Sequence, residues 1–451
     1  MPEKVLFIAA NARSLIANRG DLIREMTQMG CQVHCLIPEY DFLPEVEELG
    51  ITWDLIQLSR TGVDPRSDIK YYRQLRKFMS EWKPDIVYSY SIKPVIYGSL
   101  AARASGVPMV AAMITGMGYL FTGQSIKQRL LRQVASSLYR RALAAADRVF
   151  FQNPDDLALF RELDIISTSD DHKIFRTNGS GINLERFPSS PPPLPPESPV
   201  TFLMIARLLQ DKGVREFVQA AEMLHSEYPK AQFIVVGPHD PMLPHALPGD
   251  EIEQWKEKGI VSFVGGVSDV RPYLKDSSVY VLPSYREGTP RSVLEAMATG
   301  RPVITTDTPG CRETVVDWVN GYLVPVKSAG ALATRMKIFL RQPDLIEVMG
   351  RNSLGLAHEK YDVRQVNRVI LEALGLVAPE PDRENAPESH PSDIQSTGSN
   401  NLTEHAALSD NSRPMTQDNS DGNRRSKTSR SGSRKAVAAE QRTLITAKAE
   451  K

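Results

Sequence analysis

Almost from its first residue the chain alternates short, apolar, β-branched runs with amphipathic stretches, and this rhythm leaves few folds open. Strands are expected at 5–10, 32–38, 51–57, 86–90, 109–114, 148–152 and 173–178. Helical periodicity fills most of the gaps, for example around 21–29, 67–82 and 94–105. Strands joined through helices run parallel, and a parallel sheet needs helices on both faces. The expected class is therefore α/β, built from doubly wound, Rossmann-like sheets.

The rhythm breaks once. Residues 188–199 read PSSPPPLPPESP, a stiff extended stretch that fits neither a helix interior nor a central strand. Alternation then resumes, with strands expected at 201–206, 232–237, 261–265, 279–283, 303–306 and 322–326. This predicts a first domain over 1–187, a Pro-rich linker over 188–199 and a second domain over 200–360. Two such domains leave a cleft at the carboxyl ends of both sheets, where folds of this type bind ligands. From about residue 378 to 451, Pro, Ser, Asn, Asp and Gln dominate and a basic run follows at 424–435. That stretch reads as a disordered tail, either without specific function or binding a protein or an anionic surface.

Composition excludes several classes. Lys plus Arg and Asp plus Glu both number 54, so no overall field points to nucleic acid. Three cysteines are too few for a disulfide framework, which fits a reducing cytoplasm. No secretory leader is expected, since residues 1–10 lack a basic region followed by a cleavage site. The longest mostly apolar stretch, 109–121, is too short to span a bilayer and contains Thr115, Gly116 and Gly118.

The chemistry concentrates in residues 284–295, SYREGTPRSVLE. A strand ends just before this stretch, and Pro290 suits the first position of the next helix, with Thr289 as its N-cap. Gly288 permits an unusual backbone angle or a close approach, and the N–H groups of Arg291 and Ser292 would face a phosphate. Glu287 and Glu295 frame this helix start, and carboxylates accept sugar hydroxyls well. The pairing points to a ligand with phosphate and sugar parts. Arg207 and Lys212, at the end of the second domain's first strand, can neutralise a leaving diphosphate. The sequence has no Asp-x-Asp metal site, His cluster or Cys-x-x-Cys pair, so no metal and no cofactor besides a nucleotide-sugar substrate are expected.

These residues resemble the retaining family-4 glycosyltransferases of the GT-B fold. The matching set is Arg207, Lys212, Phe263-Val264-Gly265, Glu287-Gly288-Thr289-Pro290 and Glu295-Ala296-Met297-Ala298, in which two glutamates stand with seven residues between them. The resemblance covers roughly 3–375. It implies that Arg207 and Lys212 bind the donor diphosphate, Glu295 the ribose and Glu287 the transferred sugar. Val264 and Gly265 would read the base through their backbone, and Gly288 and Thr289 would meet phosphate. A helix within 361–377 would cross back onto the first domain.

In the first domain, SIKPVIYG at 91–98 and ITGMGY at 114–119 are similar to the bacterial subgroup that builds capsule, O-antigen or glycan chains on polyprenyl diphosphate. That likeness implies a retaining, metal-independent transfer of a hexose or N-acetylhexosamine from a UDP-sugar to a lipid-linked saccharide. One departure stands out. The first strand runs into Ala10-Asn11-Ala12-Arg13-Ser14 where many relatives have a glycine-rich loop, and Thr115-Gly116 stands where a histidine is common. Asn11, Arg13, Lys93, Thr115 and Gly116 are the candidate acceptor contacts.

Residues 124–148 read as a helical segment carrying Lys127, Arg129, Arg132, Arg140, Arg141 and Arg148 against Asp147. This is either a domain helix with a basic outer face or a patch for anionic lipid, which would make the protein peripheral on the inner membrane face. Two other functions fit the architecture: a UDP-sugar 2-epimerase and a non-catalytic nucleotide-sugar binding protein. The first needs acid–base groups around the sugar that the sequence does not supply. The second has no need of two opposed domains.

Overall fold

The computed structural model describes residues 3–58, 64–116, 126–243 and 245–378. Two parallel sheets organise them. The first holds β1 (Lys4–Ile8), β2 (Gln32–Ile37), β3 (Thr52–Leu55), β4 (Ile86–Tyr90), β5 (Met109–Ile114), β6 (Arg148–Phe151) and β7 (Ile174–Arg176). The second holds β8 (Thr201–Ile205), β9 (Gln232–Val236), β10 (Ser262–Gly265), β11 (Val279–Leu282), β12 (Val303–Thr306) and β13 (Gly321–Val324). Every strand expected from the sequence is present, within two or three residues of its expected limits.

The order is β3-β2-β1-β4-β5-β6-β7 in one sheet and β10-β9-β8-β11-β12-β13 in the other. Each reverses direction once, between β1 and β4 and between β8 and β11. Loops leaving neighbouring strands diverge at such switch points and open a crevice.

Helices cover both faces. Around the first sheet are α1 (Ala12–Gln28), α2 (Leu43–Glu47), α3 (Pro65–Trp82), α4 (Ile92–Ala104), α5 (Ile126–Ala144) and α6 (Pro154–Glu162). Around the second are α7 (Val214–His225), α8 (Gly249–Lys258), α9 (Arg271–Lys275), α10 (Arg291–Ala298), α11 (Ala329–Arg341) and α12 (Asp344–Lys360). Helix α1 starts well before the expected 21–29, because Asn11 caps it: its Oδ1 accepts from Ser14 N at 2.7 Å.

The last helix, α13 (Val363–Ala373), belongs spatially to the first domain. Its Ile370, Leu371 and Ala373 join the core formed by Val5, Phe7, Leu22 and Phe150. Asn367 donates to Glu25 Oε2 at 2.9 Å, and Arg148 Nε to the Ala373 carbonyl at 2.7 Å. The chain thus passes between domains twice, and the two passages touch. Ile182 N donates to the Tyr361 carbonyl at 2.7 Å, and Val363 N to the Ile182 carbonyl at 3.0 Å.

The Pro-rich stretch is fastened to the second domain by Arg301, which is fully buried. Its guanidinium donates to Ser190 O (2.7 Å), Ser190 Oγ (2.8 Å), Leu274 O (2.9 Å) and Lys275 O (2.9 Å). Burial pulls its pKa down to about 10. No described helix is long and apolar enough to cross a membrane. The expected tail lies outside the described residues from 379 onward, as do Met117, Gly118 and Tyr119.

Candidate active site

The second sheet's switch point carries most of the expected residues. After β8 the chain runs through the exposed Arg207 into a short 3-10 turn, Gln210–Lys212, and then into α7. After β11 it runs through Ser284 toward α10. The two loops are joined: Tyr285 N donates to Asp211 O at 2.8 Å and Ser284 Oγ to the same carbonyl at 3.1 Å. Thr306 Oγ1 holds the Ser284 carbonyl from β12.

That joining brings Lys212 to Glu287. Lys212 Nζ lies 2.5 Å from Glu287 Oε1, and Ser284 Oγ donates to the same oxygen at 2.8 Å. Both side chains of the ion pair are mostly buried, so the pair is screened less than a surface one. Glu287 N donates to the Pro309 carbonyl at 3.1 Å. Gly310, at φ +78°, leaves room for the Glu287 carbonyl, which a Cβ there would approach to 2.3 Å. The Glu287 main chain is therefore pinned from below.

Helix α10 opens one residue later than expected. Pro290 is its N-cap and no side chain caps it. Thr289 does not take that role because its hydroxyl turns away as a donor, toward the Gly288 carbonyl (3.0 Å) and the Gln152 carbonyl (3.3 Å). The first-turn N–H groups, at Arg291 and Ser292, remain at the helix mouth. Glu295 is buried on this helix, and Arg291 Nε donates to it at 2.9 Å. Burial pushes the Glu295 carboxyl above the usual carboxylate range, while Arg291, Arg186 and Arg13 pull back. Val264 and Gly265 end β10 at the same sheet edge, where the pairing with β9 is irregular and Val264 is 38% exposed.

The first domain closes on this loop. Gly288 packs so tightly against it that a Cβ would stand 2.4 Å from Thr115 O and 2.6 Å from Gln152 Oε1. Gly116 faces Gly288 N in the same way. Thr115 and Gly116 thus sit against the donor loop. Arg13 reaches across the cleft, with Nη2 3.5 Å from the Val267 carbonyl, and so stands with the donor residues. Lys93 is apart from them, paired with Asp68 at 2.7 Å beside the Tyr97 hydroxyl. Asn11 has its carbonyl oxygen committed to the α1 cap.

Several residues at this seam carried no functional signal in the sequence. Asn153 Nδ2 donates to the Gly288 carbonyl at 2.7 Å, Arg286 pairs with Asp156, and Arg312 with Asp155 at 3.1 Å. The Asn-Pro-Asp-Asp run at 153–156 signals a helix start, which it is, and nothing in it foretells a contact over 130 residues away along the chain.

Among the described residues no group of three His, Cys, Asp or Glu side chains is arranged to hold a metal ion. What the arrangement offers is two cations, two carboxylates and a helix mouth around one crevice, with a second domain above it. That suits an anionic diphosphate bearing hydroxylated groups on either side.

Comparison with known proteins agrees with this geometry. The family described as Glycosyl transferases group 1 matches residues 186–354, and the Glycosyl transferase 4-like domain matches residues 19–169. The chain is 28% identical over 362 residues to the N,N'-diacetylbacillosaminyl-diphospho-undecaprenol alpha-1,3-N-acetylgalactosaminyltransferase of Campylobacter jejuni, covering 78% of this chain and 93% of that protein. It is 27% identical over 296 residues to the UDP-Gal:alpha-D-GlcNAc-diphosphoundecaprenol alpha-1,3-galactosyltransferase of Escherichia coli, covering 63% and 73%. Among solved structures, Anabaena HepE in complex with UDP and glucose superposes with a TM-score of 0.65 at 17% identity, over 83% of this chain and all of that one. Sucrose-phosphate synthase from Thermosynechococcus elongatus gives 0.66 at 19% identity. With a 4-like first half, a group 1 second half and two facing Rossmann-like sheets, this chain belongs to the family-4-type glycosyltransferases of the GT-B fold.

Proposed function

We propose that this glycosyltransferase moves a hexose or N-acetylhexosamine from a UDP-sugar to a polyprenyl-diphosphate-linked saccharide, with retention of anomeric configuration and without a metal ion. The observation that carries the donor side is the Lys212–Glu287 pair beside the α10 mouth, roofed by the first domain. The two relatives named above act, by their names, on diphospho-undecaprenol sugars, and one of them uses UDP-galactose.

In this reading Lys212, Arg207 and the α10 N–H groups hold the diphosphate and absorb charge as it leaves. Glu295 takes the ribose hydroxyls, and the Val264–Gly265 backbone reads the base. Glu287 orients the sugar, while Gly288 and Thr289 lie against phosphate. Asn11, Arg13, Lys93, Thr115 and Gly116 line the acceptor side, Arg13 also facing the donor. The bond from the anomeric carbon to the β-phosphate oxygen breaks as the acceptor oxygen attacks from the same face. The acceptor's proton passes to the departing phosphate oxygen. With Lys212 and Arg207 supplying positive charge, a divalent ion is not needed.

The acceptor's lipid calls for a membrane-facing surface. Helix α5 exposes Leu130 (63%) and Val134 (45%), and Arg129 and Arg141 are exposed on the same helix. Exposed apolar side chains on a helix that also carries exposed arginine suit the headgroup region of an anionic leaflet. The protein would then be peripheral on the inner membrane face.

The deciding experiment gives purified protein a panel of UDP-, GDP- and ADP-sugars in EDTA, with vesicles bearing polyprenyl-diphosphate-linked saccharide. Consumption of one UDP-sugar with transfer to lipid establishes the reading. Free sugar and UDP without acceptor would indicate an epimerase-type reaction, and binding without turnover a sensor. Flotation with anionic vesicles that survives Leu130→Asp and Val134→Asp would rule out the α5 surface.

A further inference from the structure

Glu287 is held from two sides. Its side chain is fixed by Lys212 and Ser284, both in the second domain. The residues before and after it are held by the first domain. Arg286 pairs with Asp156 Oδ1, and the Gly288 carbonyl accepts from Asn153 Nδ2 at 2.7 Å.

Asn153 and Asp156 form one unit at the start of α6. Asn153 Oδ1 accepts from Asp156 N at 2.8 Å, and Asn153 Nδ2 also donates to Asp156 Oδ2 at 2.9 Å. Both side chains are completely buried, so neither can swing to find another partner. Asp156 is a fully buried carboxylate whose cation comes from the other domain, so the two are paired only while the domains are in contact. Parting the domains takes the guanidinium from Asp156 and the amide from Gly288 together.

We propose that Asn153 and Asp156 are positioning residues for the transfer. Through the Gly288 carbonyl and the Arg286 guanidinium they set the main chain around Glu287 only when the two domains meet. Closure and assembly of the sugar-holding site are then a single event, and a donor bound to the open form is not yet aligned. This rests on the reading of Glu287 as the residue that holds the transferred sugar. Burial pushes the Asp156 carboxyl up and Arg286 draws it back.

The test uses the full chain with Asp156→Asn, Arg286→Lys and the double variant. It reads kcat and KM for the UDP-sugar, the Kd of UDP alone, and the radius of gyration with UDP bound. UDP lacks the sugar that Glu287 holds, so a positioning role shows in turnover and not in UDP affinity. Each single variant should lose about ten- to a hundredfold in kcat, with the Kd of UDP changed less than about threefold. The double variant should lose no more than the worse single one, because both break the same link. With UDP bound, the variants should be more expanded than the parent. Unchanged kcat in folded variants overturns the proposal, as do losses that multiply in the double variant or that appear equally in UDP binding. If Asp156→Asn fails to fold, Arg286→Lys carries the test alone, since Arg286 is partly exposed and outside all three cores. If the parent binds UDP but transfers no sugar, the functional reading falls, while the expansion of the variants still decides whether the link holds the domains together.

Discussion

Replacing Gly288 by alanine should cripple turnover while leaving both domains intact. The added methyl would stand 2.4 Å from Thr115 O and 2.6 Å from Gln152 Oε1, both in the first domain. Carbon–oxygen contacts settle near 3.3 Å, so the seam has to open by about 0.9 Å. Neither obstacle is the tip of a flexible chain that can yield cheaply: one is main-chain carbonyl, the other a buried glutamine. A misplacement of about 1 Å at reacting groups costs on the order of a hundredfold in rate. The methyl enters none of the three hydrophobic cores, so the thermal midpoint should shift little, whereas overpacking within a core costs about 1–3 kcal/mol. UDP release under saturating donor measures kcat, calorimetry gives the Kd of UDP, and a thermal melt gives stability. The expected result is a drop of about a hundredfold in kcat with UDP affinity nearly kept. A Gly288→Ala enzyme turning over within about threefold of the parent would show that the seam does not set the reacting geometry.

Three further outcomes follow from the same structure. Lys212→Met should lower kcat by about 10²–10³, measured by steady-state kinetics, because it removes a cation from the leaving diphosphate; Glu287 keeps Ser284 Oγ as a partner. Donor binding should weaken on acidification at a pH above that of an ordinary glutamate, since burial raises the Glu295 pKa and the proton is taken up earlier as pH falls. The sign for stability is opposite: this group's contribution is full at low pH and declines as pH rises from the ordinary value through the raised one. Calorimetry of UDP binding across pH, with Glu295→Gln showing no such step, checks this. Arg301→Met should destabilise the second domain by about 3–5 kcal/mol in a denaturant titration, because carbonyls at 190, 274 and 275 lose their buried donor.

The architecture was legible because strands buried on both faces announce themselves as apolar runs, as β1, β4, β5, β8 and β11 do, while the more exposed edge strands β3, β7 and β10 follow from the rhythm of alternation around them. The donor residues were legible because a strand, a short loop and a helix bring Glu287 and Glu295 together locally, and Lys212 needs only the neighbouring strand. The Thr289 cap was misplaced because local propensity was outbid by a contact across the cleft, with Gln152. The pairing of Lys93 with Asp68 joins residues on two different helices, and sequence spacing does not reveal it. Asn153, Asp156 and Arg286 each have a sufficient local explanation, as cap, first-turn acid and surface base. Only the opposing domain reveals a second use, and single-chain periodicity contains no information about which surfaces will meet.

The two passages between domains carry a mechanical consequence. Because Ile182 is hydrogen-bonded to Tyr361 and Val363, the outgoing and returning segments behave as one pin instead of two loose tethers. Any relative movement of the domains must therefore carry both segments at once or break those two main-chain bonds. The pin lies on both routes between the sheets, so the loops that meet at Gly288 and Thr115 are joined through one shared point of the chain as well as through their own contact.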